Sequence, residues 1–332
     1  MPVGFVQLDN MQLVWFDSHL NLTKRFSIAF NALNVKMIIP SVEYKPTHYG
    51  FTRPDWICAG WTKEMLKKHI KYGNAIVANK EEILDLKPDA VVITSFEQQF
   101  EVIHELMPKL PKSTKLIFHS GNCYFPPTEY PHYLIRNLLY SDAVSHENTR
   151  KHQYVNSLYY RPYTPFDVYT YTPHTENIPI VGNGTNNFEK DWPEGFGFSK
   201  ACEKHIPEAK FEYTSNKIEQ EVIESIKRSI CSTSFKVSEG CGFFGIESAA
   251  IGRPVFLLRQ YNQHKSYLQW LVEGETAFYV SSIQEFRAKL KALIDSPDYR
   301  NWVHWNCAQK IREYINNEDQ IERLGKFLEN LQ

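Results

Sequence analysis

Ser238-Glu-Gly-Cys-Gly-Phe-Phe-Gly-Ile-Glu-Ser-Ala-Ala-Ile-Gly-Arg-Pro-Val255 carries a strand-to-helix turn, a helix start and a helix exit within eighteen residues. An apolar run ends just upstream, near Thr233. Gly240 and Gly242 then form a turn without side chains, so that backbone can approach a ligand closely, and a helix begins near Phe243. The start of that helix offers N–H groups with no partner inside it, and the positive end of its dipole. Both suit a phosphate or diphosphate. Gly252-Arg-Pro254 closes the helix and launches the next strand. Two carboxylates, Glu239 on the loop and Glu247 about one turn into the helix, can accept hydroxyls at the two ends of one elongated ligand. Gly-rich strand-to-helix turns occur in many α/β proteins, however, and the dipole alone favours glutamates early in a helix.

Outward from this stretch, short apolar runs alternate with amphipathic ones along nearly the whole chain, the pattern of repeated βα units with mainly parallel sheets. Strands are expected at Gln12–Phe16, Val35–Ile39, Ala75–Val77, Ala90–Thr94, Lys115–His119 and Ala143–Ser145. Helices are expected between them at Leu22–Leu33, Thr62–Lys71, Lys80–Leu86 and Phe96–Leu106. The periodicity stops around Tyr159-Tyr-Arg-Pro-Tyr-Thr-Pro-Phe-Asp167, where two prolines and a polar stretch mark a domain boundary. It restarts with strands at Ile178–Gly182, Lys210–Tyr213, Ile230–Thr233, Val255–Leu258 and Ala277–Val280. Helices are expected at Phe198–His205, Ile218–Arg228, His264–Val272, Ile283–Ile294 and from Tyr299 onward. The expectation is two Rossmann-like domains, 1–165 and 166–332, facing across a cleft, with a C-terminal helix able to pack back on the first.

The string from Glu239 to Val255 resembles the E-x7-E signature of retaining GT-B-fold glycosyltransferases of the family 4 type. It shares both glutamates, Gly240 and Gly242, a Phe after the second Gly, the helix alanines and the Gly-x-Pro exit. The resemblance implies a transferase with a nucleotide-diphosphate sugar, a UDP-sugar first of all, as donor substrate and no separate cofactor. It places Glu239 on the donor sugar and Glu247 on the nucleotide ribose. Backbone around Gly242, Phe243 and Phe244, with Gly184 on the opposing loop, would hold the diphosphate. The family opens its second domain with an Arg/Lys pair that grips the diphosphate. Here Asn183 stands where Arg is expected and Lys190 comes two positions late, which leaves Lys190, or else Lys236 or Arg253, to supply the cation.

In the first half, His119 ends the run Lys115-Leu-Ile-Phe-His119 at a strand's carboxyl tip, where open α/β sheets bind ligands. The family resemblance extends to a His facing the donor sugar after this strand. Asp17, Ser18 and His19 end the first strand at the same edge, where the family has a glycine-rich loop, and acceptor positioning is the role expected of them. Thr47 to Trp61, with Trp56 and Trp61, precedes a helix bearing Lys63, Lys67, Lys68 and Lys71. That mixture can stack a sugar or a base or rest on anionic headgroups, though it also describes an ordinary loop beside a solvated helix.

Composition narrows the partners less. With 37 Lys+Arg against 38 Asp+Glu, the 332-residue chain has a formal charge of −1. Residues 1–165 carry +3 and residues 166–332 carry −4, so an anionic acceptor is expected at the first half. Six Cys occur without C-x-x-C or zinc-like spacing, and no apolar run approaches the roughly 18 residues of a membrane span. These features point to a cytoplasmic setting, peripheral to a membrane or to DNA according to the acceptor. The chain contains no D-x-D sequence, so a carboxylate-held metal is not indicated and a metal-independent site, with the helix dipole and Lys/Arg neutralising the leaving group, is expected. The acceptor stays open between a glycan or lipid-linked sugar and a hydroxylated base in DNA, as in phage-type DNA glycosyltransferases. A nucleotide-sugar epimerase or hydrolase on the same fold is the alternative class.

Overall fold

The computed structural model describes residues 7–16, 20–41, 61–71, 73–93, 102–120, 136–140, 156–184, 193–214, 219–236, 242–260 and 270–332. The chain divides into two compact units, one of Met1–Tyr163 together with Asn317–Gln332, the other of Thr164–Asn316. Each holds a parallel sheet.

In the first unit the described strands are β1 (Gln12–Trp15), β2 (Lys36–Pro40), β3 (Ala75–Ala78), β4 (Ala90–Ile93), β5 (Lys115–Ser120), β6 (Asn137–Tyr140) and β7 (Asn156–Tyr159). They pair in the order β3-β2-β1-β4-β5-β6-β7, every neighbour parallel. Helices α1 (Leu20–Ala32), α2 (Lys63–His69) and α3 (Lys80–Leu86) lie between the early strands. All four residues of β4 are buried, as parallel strands covered on both faces require. Val14, Ile38, Val91, Ile93, Phe118 and Leu138 form part of one apolar cluster. α3 is bounded chemically: the Asn79 side chain accepts from the Glu82 N–H at 2.9 Å and Glu82 accepts from the Asn79 N–H at 2.8 Å. Lys87, left-handed at φ 48°, ends it.

Two expectations for this unit change. Of the helix expected at Phe96–Leu106, the described part is a short π-helical turn at Val102–Leu106 that tightens into a 3-10 turn at Met107–Lys109, where Pro108 removes a backbone donor. The strand expected at Ala143–Ser145 lies outside the described residues, while β6 and β7 are strands to which the sequence reading assigns no element.

The second unit contains β8 (Ile180–Asn183), α4 (Pro193–His205), β9 (Lys210–Tyr213), α5 (Glu219–Arg228), β10 (Cys231–Ser234), α6 (Phe243–Ile251), β11 (Val255–Leu258), β12 (Ala277–Val280), α7 (Ile283–Asp295) and α8 (Pro297–Tyr314). Its parallel strands run β12-β11-β10-β8-β9 around a core that includes Val181, Phe211, Phe235, Phe256 and Phe286. The helix expected at His264–Val272 falls largely outside the described residues. The long helix expected from Tyr299 is two: α8 starts at Pro297, where Ser296 caps it by accepting from the Tyr299 N–H at 3.3 Å, and α9 (Asn317–Glu329) follows a break at Ile315.

α9 belongs to the first unit and covers the outer strand β7. Asn156 donates through Nδ2 to the Phe327 carbonyl at 3.1 Å, Arg323 donates to the Tyr159 carbonyl at 3.1 Å, and Asn137 exchanges two hydrogen bonds with Gln332. Ile321, Leu324, Phe327 and Leu328 are buried. A sheet edge that would otherwise present unpaired carbonyls is thereby closed. Among the described residues, no helix is long and apolar enough to cross a membrane.

Candidate functional site

In the second unit, β9 pairs with one side of β8 and β10 with the other. The chain thus leaves β8 and β10 in opposite directions, and the helices after them diverge at the strands' carboxyl ends. Open α/β sheets bind ligands in that crevice.

Several residues keep it open and close to backbone. The Gly184 N–H donates to the Thr233 carbonyl at 2.9 Å, tying the end of β8 to β10. A Cβ at Gly184 would lie 2.2 Å from Cδ1 of the Phe244 ring, so that ring occupies the space a side chain at 184 would need. On the other wall, a Cβ at Gly195 in the first turn of α4 would lie 1.9 Å from the Phe235 carbonyl oxygen. The starts of α4 and α6 therefore both sit tight against the strand ends. α6 opens on Gly242, left-handed at φ 59° and with no side chain to cap the helix. A glycine at the cap position supplies no side-chain acceptor of its own to the first turn. An anion is the natural complement to such a terminus.

Glu247 lies one turn into α6 and is 6% exposed, in a helix buried from Gly245 to Ile251. The burial is tight on both faces. A Cβ at Gly245 would meet Leu271 at 2.8 Å, and Gly252, at φ +96°, ends the helix 2.8 Å by the same measure from the His304 carbonyl oxygen on α8. The Gly252 N–H donates to the Ala249 and Ser248 carbonyls. This locks the helix axis, and with it the Glu247 carboxylate, relative to the sheet.

Gly184, Gly242, Phe243, Phe244 and Glu247 are thus brought together. Glu239 and Lys190 lie outside the described residues, as do Asp17, His19 and Trp56. Of the two alternative cations, Lys236 directly follows β10 and its neighbour Phe235, at the carboxyl edge. Arg253 does not fill that role. It precedes β11 at the opposite edge and is fully buried, with its guanidinium donating to the carbonyls of Thr172 at 2.8 Å and Lys227 at 2.6 Å. Burial lowers its pKa to about 10, which still leaves a cation at neutral pH. It clamps the end of α5 instead.

In the first unit, His119 lies in β5, 1% exposed. Its ring is 5.4 Å from that of Trp15 and 5.3 Å from that of Phe26, inside an aromatic cluster that also takes in Phe30 and Tyr160. The structure gives Trp61 a different place from the exposed stacking face expected of it. Its backbone N–H donates to the Pro40 carbonyl at 2.9 Å beyond the end of β2, and the residue is 1% exposed. Sequence reasoning missed Gly195. Its glycine-in-helix signal is present, but the contact with Phe235 is not visible in a local window.

These two sheets give the chain the GT-B architecture of known glycosyltransferase structures. Among them, a sucrose-phosphate synthase from Thermosynechococcus elongatus superposes with a TM-score of 0.64 at 10% identity, over 96% of this chain and 98% of that one. HepE from Anabaena, in complex with UDP and glucose, gives 0.63 at 9% identity, over 97% of this chain and 100% of that one. A variant of TarM from S. aureus gives 0.56 at 12%, over 75% of this chain and 57% of that one. No protein-family model matches the chain, and no curated protein matches it by sequence.

Proposed function

We propose that the protein is a glycosyltransferase that moves a sugar from a nucleotide-diphosphate donor, a UDP-sugar first of all, to a hydroxyl acceptor with retention of configuration. The observation that carries this reading is the start of α6 on Gly242, packed beside Gly184, with the Glu247 carboxylate one helical turn behind it. The fold it shares with a structure holding UDP and glucose supports it. The diphosphate is assigned to the N–H groups of the first turn of α6 and to the Gly184 backbone, the ribose hydroxyls to Glu247, and the donor sugar to Glu239. Lys190 or Lys236 adds positive charge to the leaving phosphate. Acceptor binding is assigned to the first unit, with Asp17, His19 and Trp56 as its residues.

Departure of a nucleoside diphosphate places negative charge on the phosphate oxygen nearest the sugar. A preorganised helix terminus stabilises that charge without the reorganisation water would need. The dipole and a nearby lysine make a bridging metal dispensable. In a front-face attack the loosening phosphate oxygen takes the acceptor's proton, so the protein's part is orientation and charge stabilisation rather than acid–base chemistry. Donor consumption should be assayed over a panel of nucleotide sugars, with and without glycan, lipid-linked and hydroxymethylated-DNA acceptors. Glu247→Ala and Glu239→Ala are expected to lower turnover by about a hundredfold or more, the scale of losing a transition-state contact, while circular dichroism stays that of the parent. Transfer near the parent rate in both variants overturns the assignment. Donor consumed equally without acceptor favours hydrolysis or epimerisation.

A further inference from the structure

At the opposite edge of the second sheet from the nucleotide crevice, four basic side chains converge. Arg253 and His304 are fully buried. Arg300 precedes His304 by four residues on α8 and so shares its face. The His174 ring, from the segment leading to β8, lies edge-on to that of His304 with centroids 6.0 Å apart. His174 is 9% exposed and Arg300 is partly exposed, which brings one side of the cluster to the surface.

Buried cations normally face carboxylates, and these do not. The charged and titratable groups acting on Arg253 are Arg300, Tyr171, Cys231 and Cys307, and those acting on His174 are Arg253 and Arg300; no carboxylate of the described residues is among them. Neighbouring Lys227 and Arg228 on α5 are paired outward, to Glu224 and Glu212. The guanidinium of Arg253 is spent on backbone carbonyls through its terminal nitrogens, which leaves Nε. His304 Nε2 donates to the Ile230 carbonyl at 2.8 Å, so its Nδ1 is the atom that gains or loses a proton. Arg253 Nε, Arg300 Nε and His304 Nδ1 are all buried without a hydrogen-bond partner. Three orphaned nitrogens in one basic cluster call for an acceptor.

We propose that this cluster binds a small oxyanion, held by Arg253 Nε, Arg300 Nε and the protonated Nδ1 of His304, with His174 lining its outer side. A neutral His304 presents a lone pair at Nδ1 and repels an oxyanion; the protonated ring donates. Binding therefore takes up one proton and tightens as pH falls. Burial first and the Arg253 charge second hold both imidazoles neutral when no anion offsets them. The site is separate from the nucleotide crevice and does not depend on the reading of that crevice.

The test is isothermal titration of inorganic sulfate, fully ionised throughout, into the full chain with UDP present, at about pH 6 and about pH 8, either side of the ordinary histidine pKa. Saturable binding at a single site, about tenfold or more tighter at the lower pH, is expected. Arg300→Gln should weaken it about tenfold at both pH values, the loss of one charge-assisted hydrogen bond. His304→Gln, which can keep the bond to Ile230 but never carries charge, should abolish the pH dependence. No saturable heat in the parent, or binding to both variants equal to the parent's, overturns the proposal. Should either variant fail to fold, His174→Gln gives the same decision from the outer side of the site.

Discussion

A methyl group at position 184 would collide with the Phe244 ring, and that single contact sets how closely the two walls of the crevice approach. Gly184→Ala is expected to destabilise the second unit by about 1–3 kcal/mol, the usual cost of overpacking, and to weaken UDP binding by displacing the start of α6. Adding Phe244→Ala should recover part of both losses. A thermal-unfolding and UDP-titration double-mutant cycle measures that coupling, and additive effects would count against the contact. In the sequence, Phe244 follows from the helix-start pattern after Gly242, and Gly184 enters only through the family resemblance. Their mutual contact was invisible, because the two residues are distant in the chain and meet only through the β8–β10 pairing. Arg253 failed in the opposite sense. A charged residue in a Gly-x-Pro exit reads as available, and nothing local reveals that it is buried among carbonyls.

At the scale of elements, α8 and the segment leading to β8 each bring a histidine, His304 and His174, to the buried edge of the sheet. Burial, with the Arg253 charge second, depresses the His304 pKa to about 3 and that of His174 to about 4, against 6.5 for a free imidazole. Both rings are neutral in the folded chain at neutral pH. Their contribution to stability is complete above about pH 6.5 and is lost as pH falls toward the folded values, because the unfolded chain protonates first. In sulfate-free and phosphate-free buffer the urea midpoint should fall between about pH 6.5 and pH 4, with a slope of at most about 1.4 kcal/mol per pH unit from His304 and less from the more accessible His174. His304→Gln should flatten the profile. A stability profile flat through this range would show that the rings are not buried as described. The same scale explains β6 and β7. Each begins with an Asn whose amide is satisfied by the backbone of α9 or by a neighbouring strand. A window of four residues containing a polar amide reads as loop until that distant partner is known. The remaining strands, β1 to β5 and β8 to β12, are legible from apolar periodicity alone.

Across the whole molecule, the division of charge seen between the two halves nearly disappears once the units are drawn as they fold. The first unit, including Asn317–Gln332, has 20 Lys+Arg against 19 Asp+Glu, and the second has 17 against 19. Net charge therefore does not select the acceptor, and local residues must. Removing residues 317–332 is expected to act on the first unit selectively, since each of four buried apolar side chains of α9 contributes about 1.5–3 kcal/mol of transfer free energy. Hydrogen exchange should show β6 and β7 losing protection while β8 to β12 keep theirs. Equal loss in both units, or none, would contradict the packing of α9. The closure of β7 by α9 also bears on biosynthesis. A ribosome completes every strand of the first sheet before it begins the second unit, and that sheet then waits with β7 uncovered until the final helix emerges. The interval is one in which an open strand edge can recruit another chain, so a pause late in translation should favour aggregation of the N-terminal half far more than a pause before residue 156.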